Sequence, residues 1–301
     1  MILPDDGLQR ARFAALDPLL PSPAPLPAGD PVEAGGALGT IAHIRFEPGS
    51  WQRLWSPAHL QILSAVLGRD AAAGMDALLA AWRERITLAD AERDSACTVT
   101  WPSRDVVVAR ALLDHGFVPQ LAMAVRVPAP GEAHDVPGVT VRESTGGDLE
   151  EIVDLRFEEL LYASFVGHGV LRSGARALLT DEVRRGLRFG GRIWIAEEEG
   201  VTVGMATGGR RSPVPGDALA GRLPPGEWGF VGTLAVTVAA RGRGIGRALT
   251  AVAHDELFAP SLRGTFVSYN PANPLSPVFW HRQGYRPLWT TWAVSPAMAL
   301  R

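Results

Sequence analysis

Leu234-Ala-Val-Thr-Val-Ala-Ala-Arg241-Gly242-Arg243-Gly244-Ile245-Gly246-Arg247-Ala248-Leu249 sets three glycines and three arginines between an apolar run and the start of an amphipathic one. Glycines let a backbone approach a ligand closely, and the first N–H groups of a helix lack intrahelical partners. A strand that feeds a helix through such a turn is therefore suited to hold an anion. The helix end contributes about 0.3 to 1 kcal/mol at a surface site, and Arg241, Arg243 and Arg247 add charge at the same point. A phosphate or pyrophosphate is the natural guest. Two familiar phosphate loops fail here. All 29 basic residues are arginine, and a Walker loop needs lysine, as does Schiff-base chemistry. A dinucleotide fingerprint needs glycines at relative positions one, three and six. Counted from Gly242 the sixth position is Arg247, and counted from Gly244 it is Leu249. On this loop alone, a plain tight turn with solvated arginines is the competing reading.

A second constellation lies downstream: Asn273-x-x-Ser276-x-x-Phe279-Trp280-x-x-x-Gly284-Tyr285. Together, Arg241-x-x-Gly244-x-Gly246 after Leu234-Ala235-Val236 and this downstream set resemble the two cofactor motifs of the GNAT superfamily of acyl-CoA-dependent N-acyltransferases. The resemblance covers about Val139 to Val294. It implies acetyl-CoA as cosubstrate, with the main chain of Leu234 and Val236 pairing with the pantetheine arm and the Val236 amide a candidate donor to the thioester oxygen. It gives the pyrophosphate to the loop Arg241, Gly242, Arg243, Gly244, Ile245, Gly246 and Arg247, and sets Asn273 and Phe279 along the other side of the arm. The implied reaction is direct attack of an amine on the thioester, assisted by a general base and an acid, with no metal and no covalent enzyme intermediate.

The sequence departs from the family at Trp280, where many members carry the tyrosine that protonates the thiolate. An indole N–H cannot act as a general acid near neutral pH, and a packing role is the simpler account of this tryptophan. Ser268 or Tyr269 on the neighbouring strand are the nearest substitutes; water assistance or lost activity are the other outcomes. Glu227, just before the strand that would carry the thioester, is the candidate base, although an acid in a Pro/Gly-rich loop is often only solvated. Thr233 could order a water instead. The acceptor pocket is expected to draw on Glu158, Glu159, Tyr162, Phe165 and His168. His168 lies between Gly167 and Gly169, where partial exposure is the plainer account.

The elements that must position these residues can be read from periodicity. Val139 to Arg142 reads as a strand, and Asp148 opens a helix with Leu149, Ile152, Val153 and Leu155 or Arg156 at helical spacing. Ser173 to Leu187 predicts a second helix. Arg192 to Ala196 and Val201 to Thr207 predict a hairpin, and Trp228 to Val236 a strand after the long loop Ser212 to Gly226, which is either a binding loop or an idle insertion. Ile245, Ala248, Leu249 and Val252 face one side of a helix that stops before Pro260. Thr265 to Tyr269 alternates like a strand, Ser276 and Pro277 read as N-cap and first helical residue, and Tyr285 to Val294 as the last strand.

The first half repeats part of this order: a strand from Ser95 to Trp101, a helix capped at Ser103 or Asp105 and running through Leu113, then Gly116-Phe117-Val118-Pro119 leading into a strand to Val127. Gly284-Tyr285-Arg286-Pro287 lies 284 − 116 = 168 positions later. We read a degenerate duplication, against chance agreement of common strand-helix-strand order. Leu19 to Gly36, with five prolines, is expected to be extended surface, the first packed element coming after it. Pro128 to Gly138 marks the boundary, so a degenerate copy without a cofactor loop over 1–130 precedes an acyl-CoA-binding domain over 137–301. Trp51, Trp55 and Trp82 read as packing. The expected class is α+β or α/β, a mixed and mostly antiparallel sheet flanked by helices.

Composition bounds the rest. A net charge of -3 and pI of 6.2 argue against a nucleic-acid partner. The absence of an 18-residue apolar run and the acids at positions 5 and 6 point to a cytoplasmic protein without a membrane partner. Cys97 is the single cysteine and the histidines are scattered, so no metal is expected. The leading function is N-acetyl transfer to a small-molecule amine by a monomer or homodimer. A non-catalytic CoA binder or sensor, or transfer of a longer acyl group or to oxygen, are the alternatives.

Overall fold

Gly116 and Gly284, both at left-handed φ (86° and 83°), end equivalent helices and turn the chain into strands that exchange sides. The computed structural model describes residues 6–86, 93–129, 134–214, 216–217 and 219–301. Its first half comprises α1 (Asp6–Leu16), β1 (Asp30–Ala34), β2 (Ala37–Arg45), β3 (His59–Val66), α2 (Ala71–Arg83), β4 (Ser95–Pro102), α3 (Val106–Asp114) and β5 (Val118–Arg126). The second comprises β6 (Val139–Glu143), α4 (Leu149–Phe165), α5 (Ala175–Arg188), β7 (Arg192–Glu198), β8 (Val201–Arg211), β9 (Trp228–Val236), α6 (Ile245–Leu257), β10 (Gly264–Tyr269), α7 (Ser276–Arg282) and β11 (Arg286–Val294).

All eleven strands form one sheet in the order β1-β2-β3-β4-β11-β5-β10-β9-β8-β7-β6. Only β3/β4 and β9/β10 pair in parallel. The final strand of each half leaves its own parallel pair: β5 lies against β10, β11 lies against β4, and the two pair with each other. Leu288, Trp289, Trp292 and Val294 of β11 are buried in the core built by Val32, Leu63, Leu78, Trp82 and Leu112. Each buried side chain of this size is worth about 1.5 to 3 kcal/mol, so the exchange is held by packing as well as by ladder hydrogen bonds. The expected division near residues 130–137 falls between β5 and β6, and one sheet includes strands from both sides of it.

Around β7 the two faces separate by strand alternation. Ile193 and Ile195 pack with Ile152 and Leu155 of α4 and Val183 of α5, whereas Trp194 and Ala196 pack with Val231, Leu249 and Ala253 beneath α6. Among the described residues no helix is long and apolar enough to cross a membrane.

Three local expectations change. The first packed element precedes the proline-rich stretch: α1 is anchored by Phe13, whose ring meets Trp101 and Trp289 edge-on at 5.6 Å each, and β1 starts inside that stretch. Ser276 is the first residue of α7, not its cap. Leu275 is the N-cap residue, and Asn273 in the preceding turn supports the start of α7, its Oδ1 accepting from the Leu275 and Ser276 amides at 2.9 and 3.2 Å. Asp105 holds the expected N-cap position of α3, but its carboxylate receives Arg12 Nε at 2.6 Å and Trp101 Nε1 at 2.9 Å and makes no helix-cap bond. In the 212–226 loop, Leu223 is buried and the Arg222 carbonyl accepts from Trp289 Nε1 at 2.7 Å, so this part covers the first half's core.

Candidate active site

Parallel pairing of β9 with β10 runs from Trp228/Gly264 to Val231/Val267 and stops there. Beyond it β9 stays paired to β8 through Val236/Gly204, and β10 stays paired to β5 through Tyr269/Ala122. The two strands therefore part like a wedge. Thr237 N–H donates to the Val203 carbonyl at 2.9 Å, and antiparallel ladders alternate which residues bond across. Leu234 and Val236 consequently turn their N–H and C=O groups away from β8, into the wedge. The Val236 carbonyl accepts from Arg241 Nε at 3.0 Å.

At the mouth of the wedge, Gly244 sits before Ile245 with φ of 93° and no side-chain capping bond, so the first N–H groups of α6 have no cap. A Cβ on Gly244 would lie 2.6 Å from His134 Nε2. A Cβ on Gly246 would meet the Phe279 ring at 3.4 Å and Leu234 at 3.7 Å, which places Phe279 beside the loop and the strand. A bare helix N-terminus, glycines where side chains would intrude and an open strand edge fit an extended ligand with a phosphate at one end. The arginines divide the work unequally. Arg243 is paired with Glu198 at 2.8 Å, a surface pair that shares its charge. Arg241 stacks on Tyr162 at 5.4 Å, and Arg247 has no ion-pair partner among the described residues. Asn273, its oxygen committed to α7, keeps its amide N–H groups for a ligand.

The comparisons with known proteins agree with this geometry. Residues 189–287 match the family model described as an acetyltransferase (GNAT) domain, less than half of the chain. The match places this segment among sequences similar to GNAT acetyltransferase domains. The chain is similar to the crystal structure of a GCN5-related N-acetyltransferase from Sphaerobacter thermophilus, at 18% identity over 88% of this chain and 79% of that one, with a TM-score of 0.53. It is also similar to a tandem GNAT protein from the clavulanic acid biosynthesis pathway, at 15% identity over 97% of this chain and 94% of that one, with a TM-score of 0.50. At these identities the likeness shows the fold. No curated protein sequence matches the chain.

On the α4/α5 side of the sheet, Arg156 is only 6% exposed. It holds both Glu182 oxygens at 2.9 and 2.8 Å and also bonds Glu159 and the Thr233 hydroxyl. Thr233 lies on β9 where the wedge opens. Trp55, from the first half, covers the Arg156 guanidinium at 5.0 Å, so it does more than pack. Two carboxylates around one arginine leave a local charge of about −1. Burial pushes the Glu159 carboxyl above the usual carboxylate range, Arg156 opposing the shift and Glu182 adding to it. Its side chain keeps 30% exposure, which leaves a path for a proton. The half-buried His168 stands 6.1 Å from Trp55, and burial lowers its imidazole below the ordinary value. Of the other expected acceptor residues, Tyr162 is drawn to the cofactor loop, while Glu158 and Phe165 are exposed, Phe165 at 79%. Arg156 was legible only as a member of an apolar face, and nothing in the spacing marked Glu182.

The acid and base candidates are sorted by position. Glu227 is ruled out: Leu234 lies seven residues further along β9, about 23 Å at 3.3 Å per residue, and the Glu227 carboxylate faces Arg210 at 3.9 Å. Ser268 and Tyr269 fall on opposite faces. Ser268 is exposed, whereas Tyr269 is buried in the α6 side's core with its hydroxyl 2.8 Å from His281 Nε2. Burial raises the Tyr269 phenol. Trp280 is buried edge-to-face between Phe279 and Tyr285 at 5.0 and 5.4 Å, a packing residue.

Proposed function

We propose that this protein transfers an acetyl group from acetyl-CoA to a primary amine of a small molecule by direct attack. The observation that carries the reading is the outward-turned backbone of Leu234 and Val236 beside the uncapped start of α6. Acetyl-CoA, when bound, supplies an electrophilic thioester. The Leu234 backbone and the Val236 N–H offer an amide-bearing arm the pairing of a neighbouring strand. Val236 N–H is the donor to the thioester oxygen. Gly242, Gly244, Ile245, Gly246 and Arg247 hold the pyrophosphate against the helix N-terminus, with Arg241 bracing the loop against Tyr162. Asn273 and Phe279 confine the arm from α7.

Glu159 takes the proton from the attacking amine, because it borders Thr233 and its raised proton affinity suits a general base. Arg156 positions it, and Glu182 adds the second negative charge that favours a cationic acceptor. Tyr269, braced by His281, returns a proton to the leaving sulfur in place of the residue that Trp280 cannot supply. Calorimetry with CoA, then thiol release from acetyl-CoA across an amine library, tests this reading. Binding with turnover on at least one amine is expected; no CoA binding at millimolar concentration overturns it. Buried Trp280 favours one second reading, a CoA binder without turnover, which binding with no thiol release on any acceptor would support.

A further inference from the structure

A cavity of about 260 Å³ lies between α6 and the end of α7, lined by Arg126, His134, Arg247, His254, Arg282 and Gly284, among others, and by no carboxylate. None of the three arginines has an ion-pair partner among the described residues. Arg126 is the last residue of β5 and so belongs to the first half. Its Nη1 lies 2.7 Å from His254 Nδ1. Arginine can only donate, so Nδ1 accepts and Nε2 carries the hydrogen, donating to the Tyr285 hydroxyl at 2.8 Å, which donates to Thr265 at 2.9 Å. Burial, with Arg126 adding, holds the His254 imidazole down to about 3. The neutral ring thus aims Arg126 without compensating its charge. Three guanidinium groups around one cavity repel one another, and a phosphate monoester, carrying close to two negative charges, is the anion that relieves them. The cavity adjoins the pyrophosphate loop, since Arg247 is in the first turn of α6 and His134 stands against Gly244.

We propose that this cavity takes the 3′-phosphate of the CoA ribose and that the first half, through Arg126, selects CoA over its dephosphorylated form. The proposal rests on the acetyl-CoA reading above. It explains what the strand exchange contributes to the site: without β5 beside β10 there would be no Arg126 at this position.

Calorimetric affinities of CoA and dephospho-CoA for the full chain, wild type, Arg126→Gln and Arg282→Gln, test it, with melting curves to confirm folding. The wild type is expected to prefer CoA by on the order of tenfold or more, the effect of charge-assisted hydrogen bonds. Each variant is expected to lose that preference through weaker CoA binding, its affinity for dephospho-CoA holding. Arg282 is exposed, so its variant serves if Arg126→Gln does not fold. Millimolar inorganic phosphate should weaken CoA and leave dephospho-CoA unaffected. Equal wild-type affinities overturn the proposal and leave the cofactor reading standing. Phosphate that tightens dephospho-CoA without competing with CoA assigns the cavity to a separate anion and also overturns it. Binding of neither form overturns the cofactor reading itself.

Discussion

The two parallel strand pairs part at equivalent places, β3/β4 after Leu63/Val99 and β9/β10 after Val231/Val267. The offsets, 231 − 63 = 168 and 267 − 99 = 168, equal that between Gly116 and Gly284. Both halves therefore build a wedge, and among the described residues the first is the one filled by a side chain. In the first half buried Gln9 of α1 fills it, Nε2 donating to the Ala65 carbonyl at 3.0 Å and Oε1 accepting from the Leu67 amide at 2.7 Å. The chain then turns into α2 within Leu67 to Asp70, and Asp70 caps the helix by accepting from Ala73 N–H at 3.0 Å. A side-chain amide thus occupies the open strand edge and a carboxylate the helix N-terminus. In the second half, among the described residues, no side chain caps α6, and on the strand edge the Val236 carbonyl takes Arg241 Nε while its N–H and the Leu234 backbone have no side-chain partner. On the acetyl-CoA reading proposed above, the halves differ in whether a strand edge and a helix end keep unpaired groups available.

If all chemistry sits in the second wedge, Glu159→Gln carries the largest effect. We expect kcat to fall by on the order of a hundredfold to ten-thousandfold, the range for a lost general base, with CoA affinity unchanged. Because burial raises the Glu159 carboxyl, the wild-type rate should decline on acidification at a higher pH than an ordinary carboxylate would give, and the variant should lack that limb. An unchanged pH profile would remove Glu159 from the reaction. Gly244→Asp comes next, since it installs the carboxylate that Asp70 supplies to α2. CoA affinity should fall by on the order of a hundredfold, with some stability lost to left-handed strain of about 1–2 kcal/mol. Retained affinity, measured calorimetrically, would show that the helix end does not hold the phosphate.

Much of this contrast was legible in the chain. Trp228–Val236 and Ile245–Leu257 coincide with the expected strand and helix because a short apolar run and a period-3.6 apolar face mark them. The glycine loop was readable for the same reason: its residue types answer a local backbone demand. Arg156, Glu182 and Trp55 were not, because their association depends on contacts between segments 26 to 127 positions apart. The exchange of β5 and β11 was hidden too, since local periodicity specifies a strand and not its neighbour. Glu227 misled because nearness in sequence to a strand says nothing of which end of it carries the site.

Gln9→Ala tests the plug. It leaves the Ala65 carbonyl and Leu67 N–H without the side chain that satisfies them, so a loss of about 1–3 kcal/mol in chemical denaturation is expected. Asp70 still caps α2, so calorimetry should find one CoA per chain before and after the change. A second equivalent in the variant would show that Gln9 alone separates the halves; two in the wild type would break the comparison.

The smallest effect concerns the clamp that joins the halves near the acceptor site. Asp94 receives Arg53 at 3.0 Å and both Arg172 nitrogens at 2.9 Å. Burial works against ionisation, yet the hydrogen bonds from Arg172, the Ala58 amide and Arg53 lower the carboxyl from 3.8 to about 2. A carboxyl depressed by folding stabilises the protein above its unfolded value and loses that contribution as pH falls toward the folded one. With 35% of the side chain exposed, solvent screening reduces the contribution to about 1 kcal/mol. Asp94→Asn should therefore be less stable by that amount near pH 6, and the gap should narrow as pH drops through about 4 toward 2. A gap that stays constant with pH would mean the variant disturbs packing rather than charge. The clamp ties Arg172, next to α5, to the segment carrying Trp55, so loosening it should also raise KM for the amine while leaving CoA affinity as it was. An equal loss in both would place the coupling between the halves in the sheet instead.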